Sequence, residues 1–273
     1  MSFHQPDLPL RQTLGYCYLE IRHAWRQVLL ICVLPFFLNM LLYIVPDLLL
    51  TQHYTENRAV IAYGFFILPS SLIIYPLTAL LLFRFLLLGK YQRFFDIRFS
   101  EFMCYGKMLV YLSIFLLGCF LLFVLFAGLW IIAWHSLSFL QPVIGIFYFL
   151  SCLYLLTRIG FVFPAAATDT DYTLRDSLYT TKAVHLKLFT LTSAMVLPPL
   201  VLLFSLREML EHFAPITSLS ADEYIGFQLN ISYWFWVISG NFLSFLFLIL
   251  LVIVATVTFY LRTGWKPGAH KVS

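Results

Sequence analysis

The chain has 273 residues, of which 62% are hydrophobic and 11% charged, with a formal net charge of +4. Soluble domains carry roughly 25% charged residues, so a soluble enzyme or a nucleic-acid-binding domain of useful size is excluded. The apolar residues gather into six runs, at about 27–50, 60–88, 108–134, 141–167, 188–206 and 232–261. Each is long enough to cross a bilayer.

The chain opens with an amphipathic segment at 10–26. Leu14, Cys17, Ile21, Trp25 and Val28 recur every three to four residues, with Arg11, Glu20, Arg22, His23 and Arg26 on the opposite side. That pattern predicts a basic helix lying in the membrane interface. Such a helix would anchor the first span, sense lipid or dock a partner.

The first span carries Pro35 and Asn39. By helical rise Asn39 lies about 18 Å beyond Gln27, near the middle of the bilayer. The second span carries Pro69, Ser70, Ser71 and Pro76, with Ser70 again near the middle. Proline frees a carbonyl and permits a kink. Kinked helices with midplane polar groups are the ordinary furniture of membrane bundles and also line transport sites.

A second polar and aromatic segment, 91–107, precedes the third span. Ser100 is the expected helix cap, with Glu101 in the first turn. The third span is nearly featureless, and 135–141 is a short turn into the fourth. Arg158 lies about 25 Å inward from Gln141, near the edge of a ~30 Å hydrocarbon core. A charge at that depth pairs or snorkels. Asp169, Asp171, Asp96 and Glu101 are its candidate partners, and Arg84 sits at similar depth on the second span. Arg158, Arg84 and Asp169 are therefore the candidate lipid, anion or structural ion-pair residues. Asn39, Ser70 and Asn241 are the candidate midplane contacts.

A third amphipathic segment is expected at 172–187, starting at Tyr172 or Thr173 and ending among Lys182, His185 and Lys187. The fifth span holds Pro198 and Pro199. The sixth holds Asn241, about 14 Å in from Ser232. Trp234 and Trp236 stand at one end of this span, Tyr260 and Trp265 at the other, as interface belts.

Charge placement sets the orientation. Fifteen of the 17 Lys and Arg fall before the first span, between spans two and three, around the four-to-five connection, and after span six. Only Arg58 and Arg207 fall on the other side. The positive-inside rule places both termini in the cytoplasm. The first apolar run exceeds a signal-peptide core and lacks a cleavage site after it. The five cysteines imply no disulfide framework. An expected internal repeat, about 10–88, 91–168 and 172–262, sets a basic segment before each outward span and follows it with an inward one. The fold class that follows is an all-α membrane protein, six spans in three hairpins, each preceded by a cytoplasmic-side interfacial helix, in one domain over 1–273.

Chemistry is sparsely signalled. No nucleotide-binding glycine loop, GxSxG, HExxH or Cys-x-x-Cys is present, so no enzyme activity, cofactor or nucleic-acid partner is expected. His53, His135 and His212 each follow the first span of a unit. They would suit zinc or copper only on convergence, and their spacing supports no metal site. The midplane lacks Asp, Glu, Lys and His, which argues against an ion-coupled pump.

One stretch carries a resemblance. Arg158, Pro164, Asp169, Ser177 and Thr181-Lys182, with SEFMCYGK at 100–107, resemble uncharacterised bacterial six-span inner-membrane proteins. These are the YciC-like families and the membrane region attached to some glycerophosphodiester phosphodiesterases. Ala183 replaces the glycine usual after the basic residue. The resemblance implies a bacterial inner-membrane location. The expected role is non-enzymatic, in lipid or envelope organisation or as a subunit of a partner complex. A small-molecule or lipid transporter component is the alternative, and an intramembrane lipid-modifying enzyme comes last. Membrane lipids are the expected partners, with a protein partner or a second copy besides.

Overall fold

The computed structural model describes residues 8–50, 70–90, 92, 99–136, 140–213 and 231–264. Every regular element among them is helical. The helices are α1 (Leu10–Leu50), α2 (Tyr75–Leu88), α3 (Phe99–Ser136), α4 (Gln141–Ile159), α5 (Val162–Ala167), α6 (Leu174–Lys182), α7 (His185–Phe213) and α8 (Ile231–Thr263). A π-helical turn, Ser70–Ile74, leads into α2. Among the described residues, three stretches are long and apolar enough to cross a membrane: Leu10–Leu42, Glu101–Ile131 and Val237–Thr263. Leu72–Leu88 and Val143–Ile159 are shorter apolar helices.

The first two amphipathic segments are not separate helices. Residues 10–26 continue without a break into α1, and Phe99–Lys107 continue into α3. No proline or glycine pair interrupts either junction, and a continuing helix keeps each backbone bond satisfied inside the bilayer. Ser100 is accordingly the second residue of α3 and not its cap. The burial stripe in α1 also differs from the expected one. Thr13, Cys17, Ala24 and Val28 are buried, while Trp25 is 49% exposed, with the Arg26 guanidinium 5.4 Å from its ring. Trp25 thus belongs with the basic side, where a cation–π contact accompanies it.

At 41 residues α1 is about 60 Å long, more than a whole bilayer with its headgroups. It cannot stand upright throughout. Cys17 shares a core with Ile253, Val254 and Val257, and Asn39 is bonded to Asn241. From Cys17 to Asn39 α1 rises about 33 Å, whereas α8 covers only about 20 Å from Val254 to Asn241. The two helices therefore do not run strictly side by side between these two levels.

The third amphipathic segment is separate, though shorter than expected. Thr173 caps α6, and Thr173 with Asp176 forms a reciprocal capping box. The helix ends at Lys182, Ala183 and Val184 turn, and His185 begins α7.

Helix α8 packs on α7, α1 and α2, while α3 packs on α4. Short α5 and α6 tie these groups together, α5 against α2 and α3, α6 against α4. The largest core is built from Ala24, Val28, Ile31, Leu80–Phe83, Cys104, Met108, Ala166, Phe245 and Val252. Three helix ends share one device. Gly89 after α2 and Gly264 after α8 have φ of 64°, and Asp169 after α5 has φ of 54°. Gly89 and Gly264 donate backbone N–H groups to Phe85 and Tyr260, closing the last turn.

Candidate functional site

One end of the bundle is built around three arginines, each used differently. Arg84, on the last turns of α2, is buried. Its Nη2 donates to Glu101 Oε1 at 3.2 Å, and its Nη1 donates to the Ala167 carbonyl at 3.3 Å. Gln92 donates to the same Glu101 oxygen, and Cys104 Sγ lies 3.9 Å from Nη1. The two charged side chains are 11% and 4% exposed. This ion pair joins α2, α3 and the end of α5. A cation against the last carbonyl of α5 also suits that helix's dipole.

Arg158, expected to pair with a carboxylate, meets none among the described residues, and its candidate partner Asp96 lies outside them. Its Nη2 donates to the Leu178 carbonyl at 3.2 Å, and its own carbonyl accepts from Ser177 Oγ and Thr181 Oγ1. Asp169 instead takes Lys107 Nζ at 2.6 Å, with both side chains substantially exposed. The reason lies in the chain path. Asp169 follows α5 in a left-handed conformation beside α3, while Arg158 is turned toward α6. Arg84 and Asp169 thus act in different ion pairs, and Arg158 is a clamp on α6 backbone.

Arg262 stands in the last turn of α8. It is 3% exposed, and its Nε donates to the Thr180 carbonyl at 3.2 Å. Two arginines therefore hold the second half of α6, one from α4 and one from α8. The available signal was its place two residues before Gly264, inside the last turn of a span, where a cation meets neighbouring helix ends.

At the middle level, Asn39 Nδ2 donates to Asn241 Oδ1 and to Tyr75 Oη, the latter at 3.1 Å. Asn241 Nδ2 donates to the Val237 carbonyl at 2.9 Å. Asn39 is completely buried and Asn241 nearly so. Two of the three candidate midplane residues thus meet, and Tyr75 joins them. Ser70 starts the π-helical turn, and its side chain lies outside the described residues. Tyr105, half-buried on α3, donates to the Leu72 carbonyl at 2.6 Å. Pro76, four residues on, has no N–H to offer that carbonyl, so the neighbouring hairpin satisfies it.

Around α6 the electrostatics are local. The Thr173 hydroxyl and backbone N–H donate to the Asp176 carboxylate and hold its pKa below the usual value. Burial pushes the Tyr172 phenol up to about 12.

A cleft of about 360 Å³ lies among α2, α3, α4, α7 and α8. It reaches Tyr75 at one end and Gly160, Phe161 and Leu188 at the other, and no charged side chain lines it.

Of the three histidines weighed as metal ligands, His53 falls outside the described residues, as do the side chains of His135 and His212. Among the described residues no three His, Cys, Asp or Glu stand together as a metal site. Compared with family models, with curated proteins and with solved structures, the chain matches none.

Proposed function

We propose that the protein is a non-enzymatic, six-span protein of a bacterial inner membrane, with both termini in the cytoplasm, that binds and organises anionic phospholipid at the cytoplasmic leaflet. One observation carries this reading. Among the described residues, some cations are spent on the fold and others are not. Arg84 and Arg262 are buried against Glu101 and Thr180. Arg11, Arg22, Arg26, Arg175 and Lys182 are exposed. Tyr16, Tyr18, Trp25 and Tyr179 are exposed on the same two elements, the first third of α1 and α6. A basic and aromatic belt of this kind suits anionic headgroups, at about 1 kcal/mol per cation near the surface. Aromatic side chains sit at the same headgroup depth.

The midplane contacts favour this reading over transport of a polar solute. Asn39, Asn241 and Tyr75 spend hydrogen bonds on one another, and the cleft beside them is apolar.

The test is native mass spectrometry of protein released from nanodiscs of phosphatidylethanolamine and phosphatidylglycerol. The wild type is compared with an Arg22→Gln, Arg26→Gln, Arg175→Gln, Lys182→Gln variant and with Arg158→Ala. Preferential retention of phosphatidylglycerol by the wild type, falling at least about tenfold and up to roughly a thousandfold in the fourfold variant, is expected. Arg158→Ala should retain it. Equal retention of both lipids by the wild type would overturn the proposal.

A further inference from the structure

We propose that the cleft among α2, α3, α4, α7 and α8 is a binding site for one acyl chain of a membrane phospholipid. This goes beyond headgroup binding at the inner belt and does not depend on it.

The cleft's length suits such a chain. Along α4 it runs from Phe149 to Gly160, and along α8 from Phe247 to Thr258. Each is about 16 Å of helix, close to one leaflet's half of a ~30 Å hydrocarbon core. Its depth suits it equally. Tyr75, at one end, receives a hydrogen bond from midplane Asn39. Phe83 and Thr157, at the other, adjoin Arg84 and Arg158 in sequence, and Thr258 is one turn from Arg262. The cleft therefore covers the span from the midplane to the arginine level.

Its chemistry excludes a polar occupant. The lining is Leu, Phe, Ala, Val and Met with a few hydroxyls. Thr157 Oγ1 donates to the Tyr154 carbonyl at 2.7 Å, and Thr258 Oγ1 to the Val254 carbonyl at 2.6 Å. A polar solute or water chain entering here would lose hydrogen bonds without recovering them. The volume of about 360 Å³ lies within the range of small-molecule sites. Left empty, it would cost the lining side chains their dispersion contacts, while the bilayer supplies an apolar chain at the same depth.

The experiment uses the full chain in nanodiscs containing a phosphatidylcholine with a diazirine on its acyl chain. After photolysis, labelled peptides are mapped. Label at Leu156, Phe149 and Phe247 is expected, along with label at Leu121 and Leu125 on the exposed face of α3. Ala255→Trp fills the cleft from α8, and Leu112→Trp does so from α3. In either variant, cleft labelling should fall about tenfold while α3-face labelling stays constant. The α3-face signal and an unchanged far-ultraviolet spectrum guard against misfolding, and the second variant stands in if the first fails to fold. Label confined to the α3 face, or cleft label that both tryptophans leave unchanged, would overturn the proposal. The headgroup test is read out separately. Cleft label without phosphatidylglycerol preference would sink the belt reading alone, and the reverse would sink only the cleft.

Discussion

Arg84→Met should be among the most damaging single substitutions in this chain, and the damage should come from what is left behind. Glu101 is 3% exposed and would lose its cationic partner while keeping the Gln92 donor. The Ala167 carbonyl would lose a donor as well. Breaking one side of a buried pair costs about 3–5 kcal/mol. At about 2–4 °C per kcal/mol for a chain of this size, the midpoint should drop by roughly 6–20 °C. Replacing both partners removes the uncompensated charge, so Arg84→Met with Glu101→Leu should recover most of that loss. The assay is a thermal melt of detergent-solubilised protein, completed as a double-mutant cycle. The reasoning is refuted if Arg84→Met costs under ~1 kcal/mol, or if the double variant loses as much as the two singles together.

Further outcomes follow from the same contacts. Asn39→Leu should cost about 1 kcal/mol, because interhelical hydrogen bonds in membranes average about 0.6 and reach about 1.7 kcal/mol. Adding Asn241→Leu should cost little more, and melts of the two variants check this. Thr173→Ala should lower stability by about 1 kcal/mol at neutral pH. Since hydrogen bonds from Thr173 lower the folded pKa of Asp176, the stabilisation is present above its unfolded value and lost as pH falls through the folded one. The gap between wild type and Asp176→Asn should therefore close on acidification below about pH 3.9; a gap that persists there would count against the capping-box account. Finally, single cysteines at Thr55 and Ser220 should react with an impermeant maleimide from outside the cell, and one at Thr170 should not; the reverse pattern would invert the topology.

The helical class and the apolar stretches were legible in the sequence because a bilayer leaves few options. Long apolar runs must be helical so that each backbone group is satisfied. The start of the third segment was legible to within a residue, at Tyr172 or Thr173, and the structure places the cap at Thr173, whose partner Asp176 is three residues away. Asn39 and Asn241 were picked out by depth alone, but nothing local says that they meet. Their bond joins residues 202 positions apart, and only the antiparallel packing of α1 on α8 decides it.

Partner choice among the charges was the least legible feature. Arg158 and Asp169 are near in sequence, and that proximity suggested a pair. The turn after α5 carries Asp169 toward Lys107, while α6 offers Arg158 a carbonyl instead. Arg262 gave the same problem from the other side, since burial at a helix end depends on what packs there. By itself, then, the sequence determined the helical class, the apolar stretches, the uneven charge and the start of the third segment to within a residue, because each follows from short-range chemistry and solvent. The tertiary structure alone decided which arginine found an acid and which found a carbonyl. It also decided that the first two amphipathic segments fuse with long helices, and that an apolar cleft opens among α2, α3, α4, α7 and α8. Those depend on contacts between residues far apart in the chain, which no local pattern encodes.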